Sequence, residues 1–303
     1  SVYDIYKNEM YAKCPRSIAK KSLEYLAEAN VGDVAYFGPE NEYFVFEDVK
    51  VKDTPNEAHY YVDTEDGEWN TYKDIDGGNM AHIAGTKGGY FPVAPIDKGV
   101  DMRAEVMQLL EEVGLTVILG HHEVAQGQHE IGIVYDTLVE AADNVQKLKY
   151  VVKMVAHLNG KTATFMPKPI FGDNASAMHT HQSLWNGNSN VMYDADDEVA
   201  QLSQIGRYYV GGILNHASAL CAISNPTTNS YKRLVPGFEA PVNVCWGLAN
   251  RSTAVRIPMY NRNQEKSKRI EYRVPDPTAN IYLLEAALLL AGLDGIRNKI
   301  DPG

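Results

Sequence analysis

The stretch Val34-Ala-Tyr-Phe-Gly-Pro-Glu-Asn-Glu-Tyr-Phe-Val-Phe-Glu-Asp48 decides how the fold is read. It has the composition of a β-strand, and strands alternate faces, so Glu40, Glu42, Phe44 and Phe46 fall on one side. Two carboxylates then share a face with two aromatics that bury readily. Charge on such a face is costly unless it is paired or metal-bound. The same anomaly returns three times. Met178-His-Thr-His-Gln-Ser183 places His179, His181 and Ser183 on one strand face. Arg269-Ile-Glu-Tyr-Arg273 places Arg269, Glu271 and Arg273 together, opposite Ile270 and Tyr272. In His121-His-Glu-Val-Ala-Gln-Gly-Gln-His-Glu130, a hairpin turn at Gly127 sets Glu123 and Glu130 across from each other. Four such segments in one chain point to a single polar site.

Further strands are expected at Leu115–His122, Glu130–Tyr135, Thr162–Met166, Ala254–Pro258 and Arg269–Val274, several joined by tight Gly or Asn turns as hairpins are. Helices are expected over Arg16–Ala29 after Pro15, over Met102–Val113 before Gly114, and from the capping box Thr137-Leu-Val-Glu140 to Leu158. Two more cover Ser203–Ala222 and Ala279–Arg297. The pattern predicts an α+β fold, a mainly antiparallel sheet with helices on one face. No repeat or linker interrupts it, so residues 1–303 read as one domain.

With 45% hydrophobic and 22% charged residues the chain is globular rather than disordered. Its formal net charge of −11 and lack of a concentrated basic patch argue against nucleic acid as a partner. Three scattered cysteines fit free thiols in a reducing cytoplasm. The most apolar run, Ile281 to Leu293, is broken by Glu285 and too short to span a bilayer, so no membrane role is expected. Gly85-Thr-Lys-Gly-Gly89 lacks the spacing and context of a phosphate loop and reads as a turn.

Glu40, Glu42, Glu123, Glu130, Glu271 and His179 have the ligand chemistry for Mg²⁺ or Mn²⁺. Five carboxylates converge only if cations balance them, and two or more divalent ions would also hold phosphate oxygens. Asn250-Arg-Ser-Thr-Ala-Val-Arg256 and Tyr231-Lys-Arg-Leu-Val-Pro-Gly-Phe-Glu239 supply guanidinium groups that match phosphate and carboxylate. Metals, arginines and an acidic pocket equip phosphoryl transfer. A metallohydrolase is the rival that these residues leave open.

Phe37-Gly-Pro-Glu-Asn-Glu42, the His122-Glu-Val-Ala segment to Glu130, Asn174 through Ser183, Asn229 through Pro241, Asn250-Arg-Ser252 and Arg269-Ile-Glu-Tyr-Arg273 resemble, in order, the motifs of type I glutamine synthetase. The resemblance covers essentially the whole chain. It implies a curved antiparallel sheet carrying the active site, with helices on its outer face. It implies one metal on Glu42, Glu123 and Glu130 and another on Glu40, His179 and Glu271. Glutamate would be held by Asn174, the backbone at Ala175, Arg233 and Arg273, with Glu239 and Arg251 also at the substrate. Glu239, Arg251 and Arg273 form the implied catalytic set. His181, Gln182, Ser183, Arg251, Arg256 and Lys266 match positions that contact ATP. Ligation of ammonia to L-glutamate through a γ-glutamyl phosphate is the implied reaction. A ligase using an amine in place of ammonia and a catalytically impaired nucleotide-binding paralogue are the alternatives.

Two departures accompany the resemblance. Ala175 and Ala177 stand where the family pattern carries glycines, and an alanine methyl would be penalised if either position needs positive φ or a close backbone approach to glutamate. The resemblance also implies a small N-terminal β-rich domain before this chain and a C-terminal extension after it, as family members carry. Those members form a dodecamer of two hexameric rings in which that domain completes a neighbouring site. Poor activity of this length of chain alone is therefore expected.

Overall fold

A computed structural model describes residues 2–4, 6–74, 80–259 and 263–303. Its backbone contacts divide the chain into two compact units. One comprises Ser1–Pro39, Tyr135–Val145 and Met178–Gly303; the other comprises Glu40–Val134 and Gln146–Ala177.

The first unit is built on a sheet whose strands run in the order Asn243–Leu248, Thr253–Ile257, Ile270–Tyr272, Thr180–Asn186, Val34–Pro39, Asp136–Thr137. All neighbours are antiparallel except the first pair. Helices Pro15–Ala29, Gln204–Asn215, Ala217–Ser224 and Ile281–Asn298 supply its apolar core, together with sheet residues such as Phe37, Leu184, Val255 and Tyr272. Pro15 at the first helical position and Asn30 in the left-handed region at φ +55° bound the first of these helices. Two helices approach at bare backbone: a Cβ on Gly212 would stand 2.1 Å from Ala291 O and 2.7 Å from Gly295 N. The helix expected over Ser203–Ala222 is two helices meeting at His216, whose imidazole Nε2 reaches Asp294 Oδ2 at 2.8 Å.

The second unit holds a four-stranded antiparallel sheet ordered Thr162–Thr164, Asn41–Phe46, Gln128–Ile133, Val117–His122. Tyr43 and Val45 face a core completed by Val106 and Leu110 of helix Val100–Glu112 and by Leu148, Val152 and Val155. The latter three lie on helix Leu138–Leu158, along which the chain passes from one unit to the other. Glu42, Phe44 and Phe46 take the opposite face, where the two rings stack at 5.9 Å beside Ala125.

The fold class is α+β, but the deciding stretch is not one strand. It is two, Val34–Pro39 and Asn41–Phe46, each in its own sheet, with Glu40 between them. Pro39 has no N–H to donate, so a single ladder does not run through it. A hairpin of Asp48–Thr54 with Glu57–Asp63 follows that the sequence did not announce. Its strands are exposed on both faces, so they carry no apolar alternation. Thr86 and Lys87 form a turn, as read. Among the described residues no helix is long and apolar enough to cross a membrane.

Candidate active site

Gly127, at φ +69°, turns the hairpin between Val117–His122 and Gln128–Ile133. A Cβ there would lie 2.8 Å from Val45 O and from Thr64 Oγ1, so the turn needs glycine for space as well as for conformation. In this register His121 stands opposite Glu130, and Glu130 stands opposite Glu42 on its other side. The three side chains form a row across one sheet face. Glu123 lies two residues beyond His121 on that face, its N–H donating to Gln128 O at 2.7 Å. It is therefore diagonal to Glu130 rather than opposite it. His121 takes the opposite place, a residue the sequence reading passed over although its parity with Glu123 marks it.

His121, Glu123 and Glu130 each present a ligand atom within 4.8 Å of the other two. His121 Nδ1 stands 3.8 Å from Glu123 Oε1, and its Nε2 stands 3.7 Å from Glu130 Oε2. Burial, and then the charge of Glu130, push Glu123 up to about 7. Burial opposes charge on His121, but Glu130 and the His122 carbonyl outweigh it and raise the imidazole above its ordinary value. Among the described residues no lysine or arginine pairs with Glu123 or Glu130. Half-buried carboxylates that repel one another in this way are relieved by a divalent cation, and the donor set suits Mg²⁺ or Mn²⁺.

Glu42 shares the face without belonging to that trio. Its Oε2 accepts from Gln128 Nε2 at 2.9 Å and from the Ala177 N–H at 2.9 Å. The Ala177 end of the Asn174–Ala177 segment is thereby tied to the sheet, while Asp173 accepts from the N–H groups of Lys87, Gln126 and Asn174. Asn174, Ala175 and Ala177 are buried. Neither alanine has positive φ, so the conformational penalty expected from replacing glycine does not arise.

In the first unit Glu271 is fully buried and ion-paired by both Arg256 and Arg273. The sheet register explains this: Arg256 and His181 are its partners on the two flanking strands. His179 precedes the Thr180–Asn186 strand, presents a ligand atom within 4.8 Å of Glu271, and has Nδ1 3.2 Å from Arg273 O. Burial, then the Arg273 and Arg233 charges, hold His179 well below the ordinary histidine value, leaving a neutral imidazole fit to bind a cation. Glu40 is peptide-bonded to Pro39, whose partner is Thr180, the residue after His179.

The other candidates separate into groups. Arg233 is buried and donates to the carbonyls of Val274 at 2.7 Å, Arg273 at 3.0 Å and Pro275 at 3.3 Å. Arg273 Nε donates to Arg251 O at 3.1 Å, and Arg269 Nε donates to His181 Nδ1 at 3.0 Å. Ser183 accepts from Trp185 Nε1 at 3.0 Å. Gln182 points to the face away from His181, where its Oε1 accepts from Tyr209 OH at 2.8 Å in the helix-side core. That side chain is not brought to the site. Glu239, Arg251 and Lys266 are exposed, and no described contact joins their side chains to Glu271. Glu239 adopts φ +58°, an unfavourable conformation for a side chain branched off Cα.

A sequence model described as "Glutamine synthetase, catalytic domain" matches residues 12–303. The chain is 55% identical over 303 residues to glutamine synthetase of Helicobacter pylori strain J99, spanning all of this chain and 62% of that protein. It is 55% identical over 302 residues to that of Azospirillum brasilense, 64% of whose length it covers. A cryo-EM structure of Plasmodium falciparum glutamine synthetase superposes with a TM-score of 0.92 at 34% identity, over 99% of this chain and 58% of that one. The chain thus spans somewhat less than two thirds of the length of these relatives. A match of this extent, over residues that carry both ligand groups, shows that the chain belongs to the glutamine synthetase catalytic-domain family.

Proposed function

We propose that this chain carries the catalytic groups for ATP-dependent ligation of ammonia to the γ-carboxylate of L-glutamate. The observation that carries the reading is the His121–Glu123–Glu130 cluster, half-buried carboxylates that no lysine or arginine balances among the described residues, in a chain of this family. Glu123 and Glu130, with Glu42 beside them, would hold one divalent cation, and His179 and Glu271 would hold another. Bound Mg²⁺ or Mn²⁺ neutralises phosphate charge during transfer.

The chain's own residues position and protect the reactants. Asn174 and the Ala175 backbone bind glutamate, with Arg273 on its carboxylates and Arg233 bracing the carbonyls around Arg273. His181, Ser183, Arg251, Arg256 and Lys266 contact ATP. A γ-carboxylate oxygen attacks the γ-phosphorus and ADP leaves, giving γ-glutamyl phosphate. Glu239 takes a proton from ammonium; the free ammonia attacks the acyl carbon and inorganic phosphate departs, giving L-glutamine. The Pro236-Gly-Phe-Glu-Ala-Pro241 segment excludes water that would otherwise hydrolyse the acyl phosphate. A cytoplasmic homo-oligomer, a dodecamer for the full-length protein, accords with this reading.

The test is phosphate release by the full-length protein with ATP and glutamate, comparing ammonium with a polyamine and following ¹⁵N from ammonium into product. Ammonium-dependent release with label in glutamine is expected. Release driven by the polyamine and not by ammonium would overturn the assignment.

A further inference from the structure

Phe91 is oddly placed for a large apolar residue. It is 53% exposed and sits at φ +54°, a conformation that L residues with large side chains avoid. Two backbone bonds hold it there. The Gly89 N–H donates to Val124 O at 3.0 Å, and the Phe91 N–H donates to His122 O at 3.2 Å, so the segment rides along the end of the Val117–His122 strand. Glycine at 89 permits this approach, since a Cβ would fall 2.5 Å from Glu123 O. The ring then lies flat on the imidazole of His121, centroids 4.1 Å apart and planes 17° apart. Tyr90 meets the same imidazole edge-on at 5.7 Å.

The stack fixes an orientation that matters. His121 Nδ1 lies 3.0 Å from the His122 carbonyl oxygen, an acceptor, so it carries a proton there. Nε2 is turned to Glu130 Oε2 at 3.7 Å, beyond hydrogen-bond reach. An imidazole whose one nitrogen is tied to a backbone carbonyl, with the other aimed at a carboxylate cluster, has the arrangement by which outer contacts orient groups around a cation. A strained aromatic left half-exposed, its ring meeting Tyr90 edge-on at 5.0 Å and His121 face-on, has limited value as core packing. Its contact with His121 is what the strain maintains.

We propose that Phe91 is a positioning residue of the His121–Glu123–Glu130 cation site, holding the His121 imidazole flat so that Nε2 stays directed at Glu130. The inference rests on the cation reading given above. It is tested by titrating the full-length protein with Mn²⁺ and following free ion by electron paramagnetic resonance, beside melting temperatures. Phe91→Gly removes the ring and relieves the positive φ, so a purely structural role predicts unchanged Mn²⁺ affinity and an equal or higher melting temperature. The expected result is affinity at this site weakened about tenfold or more without a lower melting temperature, with Phe91→Tyr retaining wild-type affinity. Should Phe91→Gly melt early, Phe91→Asn, which also tolerates the left-handed region, carries the same comparison. Glu130→Gln separates the two levels. If it binds Mn²⁺ as wild type does, the cation reading falls and this inference with it. If it is impaired while Phe91→Gly binds as wild type, this inference alone is overturned.

Discussion

In one unit a fully buried carboxylate, Glu271, lies between the guanidinium groups of Arg256 and Arg273. In the other, the half-buried Glu123 and Glu130 share a sheet face with an imidazole, no guanidinium pairs with them among the described residues, and Glu123 is pushed up to about 7. The donors are alike and their electrostatic settings are opposite. The first carboxylate is balanced by the protein itself; the second pair is left for a cation to balance. The contrast follows from register. The partner of Glu271 on one flanking strand is an arginine, whereas the partners of Glu130 are His121 and Glu42.

The sharpest way to break this comparison is to remove one carboxylate from each group. Glu271→Ala strands two arginines in a dry site and should lower unfolding free energy by about 3–5 kcal/mol in urea titration. Glu123→Gln, without added metal, relieves a repulsion and should leave the urea midpoint unchanged or raise it. Equal losses in both variants would erase the distinction. Metal itself comes next. Mn²⁺ at about one hundred times its dissociation constant should stabilise the protein by about 2.7 kcal/mol. Hydrogen exchange should show the greater added protection at residues 121–130 rather than 270–272; the reverse ranking would mean that the self-balanced site is the one needing the ion.

Two smaller effects refine the picture on either side. Arg233→Met deprives three carbonyls of their donor and should lose about 2 kcal/mol in the same titration. In the second unit Ala177→Gly adds only chain entropy, because Ala177 does not have positive φ, and should lose about 0.5–1 kcal/mol with no gain in glutamate affinity. Tighter glutamate binding in that variant would restore the idea that glycine is wanted there.

Much of this was legible in the chain because period-2 alternation marks a strand face whatever the strand's sheet. His179, His181 and Glu271, and the Gly127 hairpin, emerge from it directly, as do helices bounded by Pro15, Asn30 and Gly160. Alternation says nothing about which sheet a strand joins, so the break at Pro39–Glu40 and the division of the strands between two sheets were not visible. It also cannot rank polar neighbours. Parity alone puts His121 on the face of Glu123 and Gln182 opposite His181, but the register is what sets His121 against Glu130, and the packing is what gives Gln182 to Tyr209. The Asp48–Asp63 hairpin escaped because it has no buried face, and Phe91 because a stack on a distant imidazole leaves no pattern in the chain.

The most direct measurement is the anomalous scattering of Mn²⁺ soaked into crystals of the protein. The account predicts one ion bound by carboxylate oxygens of Glu123 and Glu130, and a second at His179 and Glu271. Crystals that diffract well but hold manganese at neither cluster, at millimolar concentration, would contradict it.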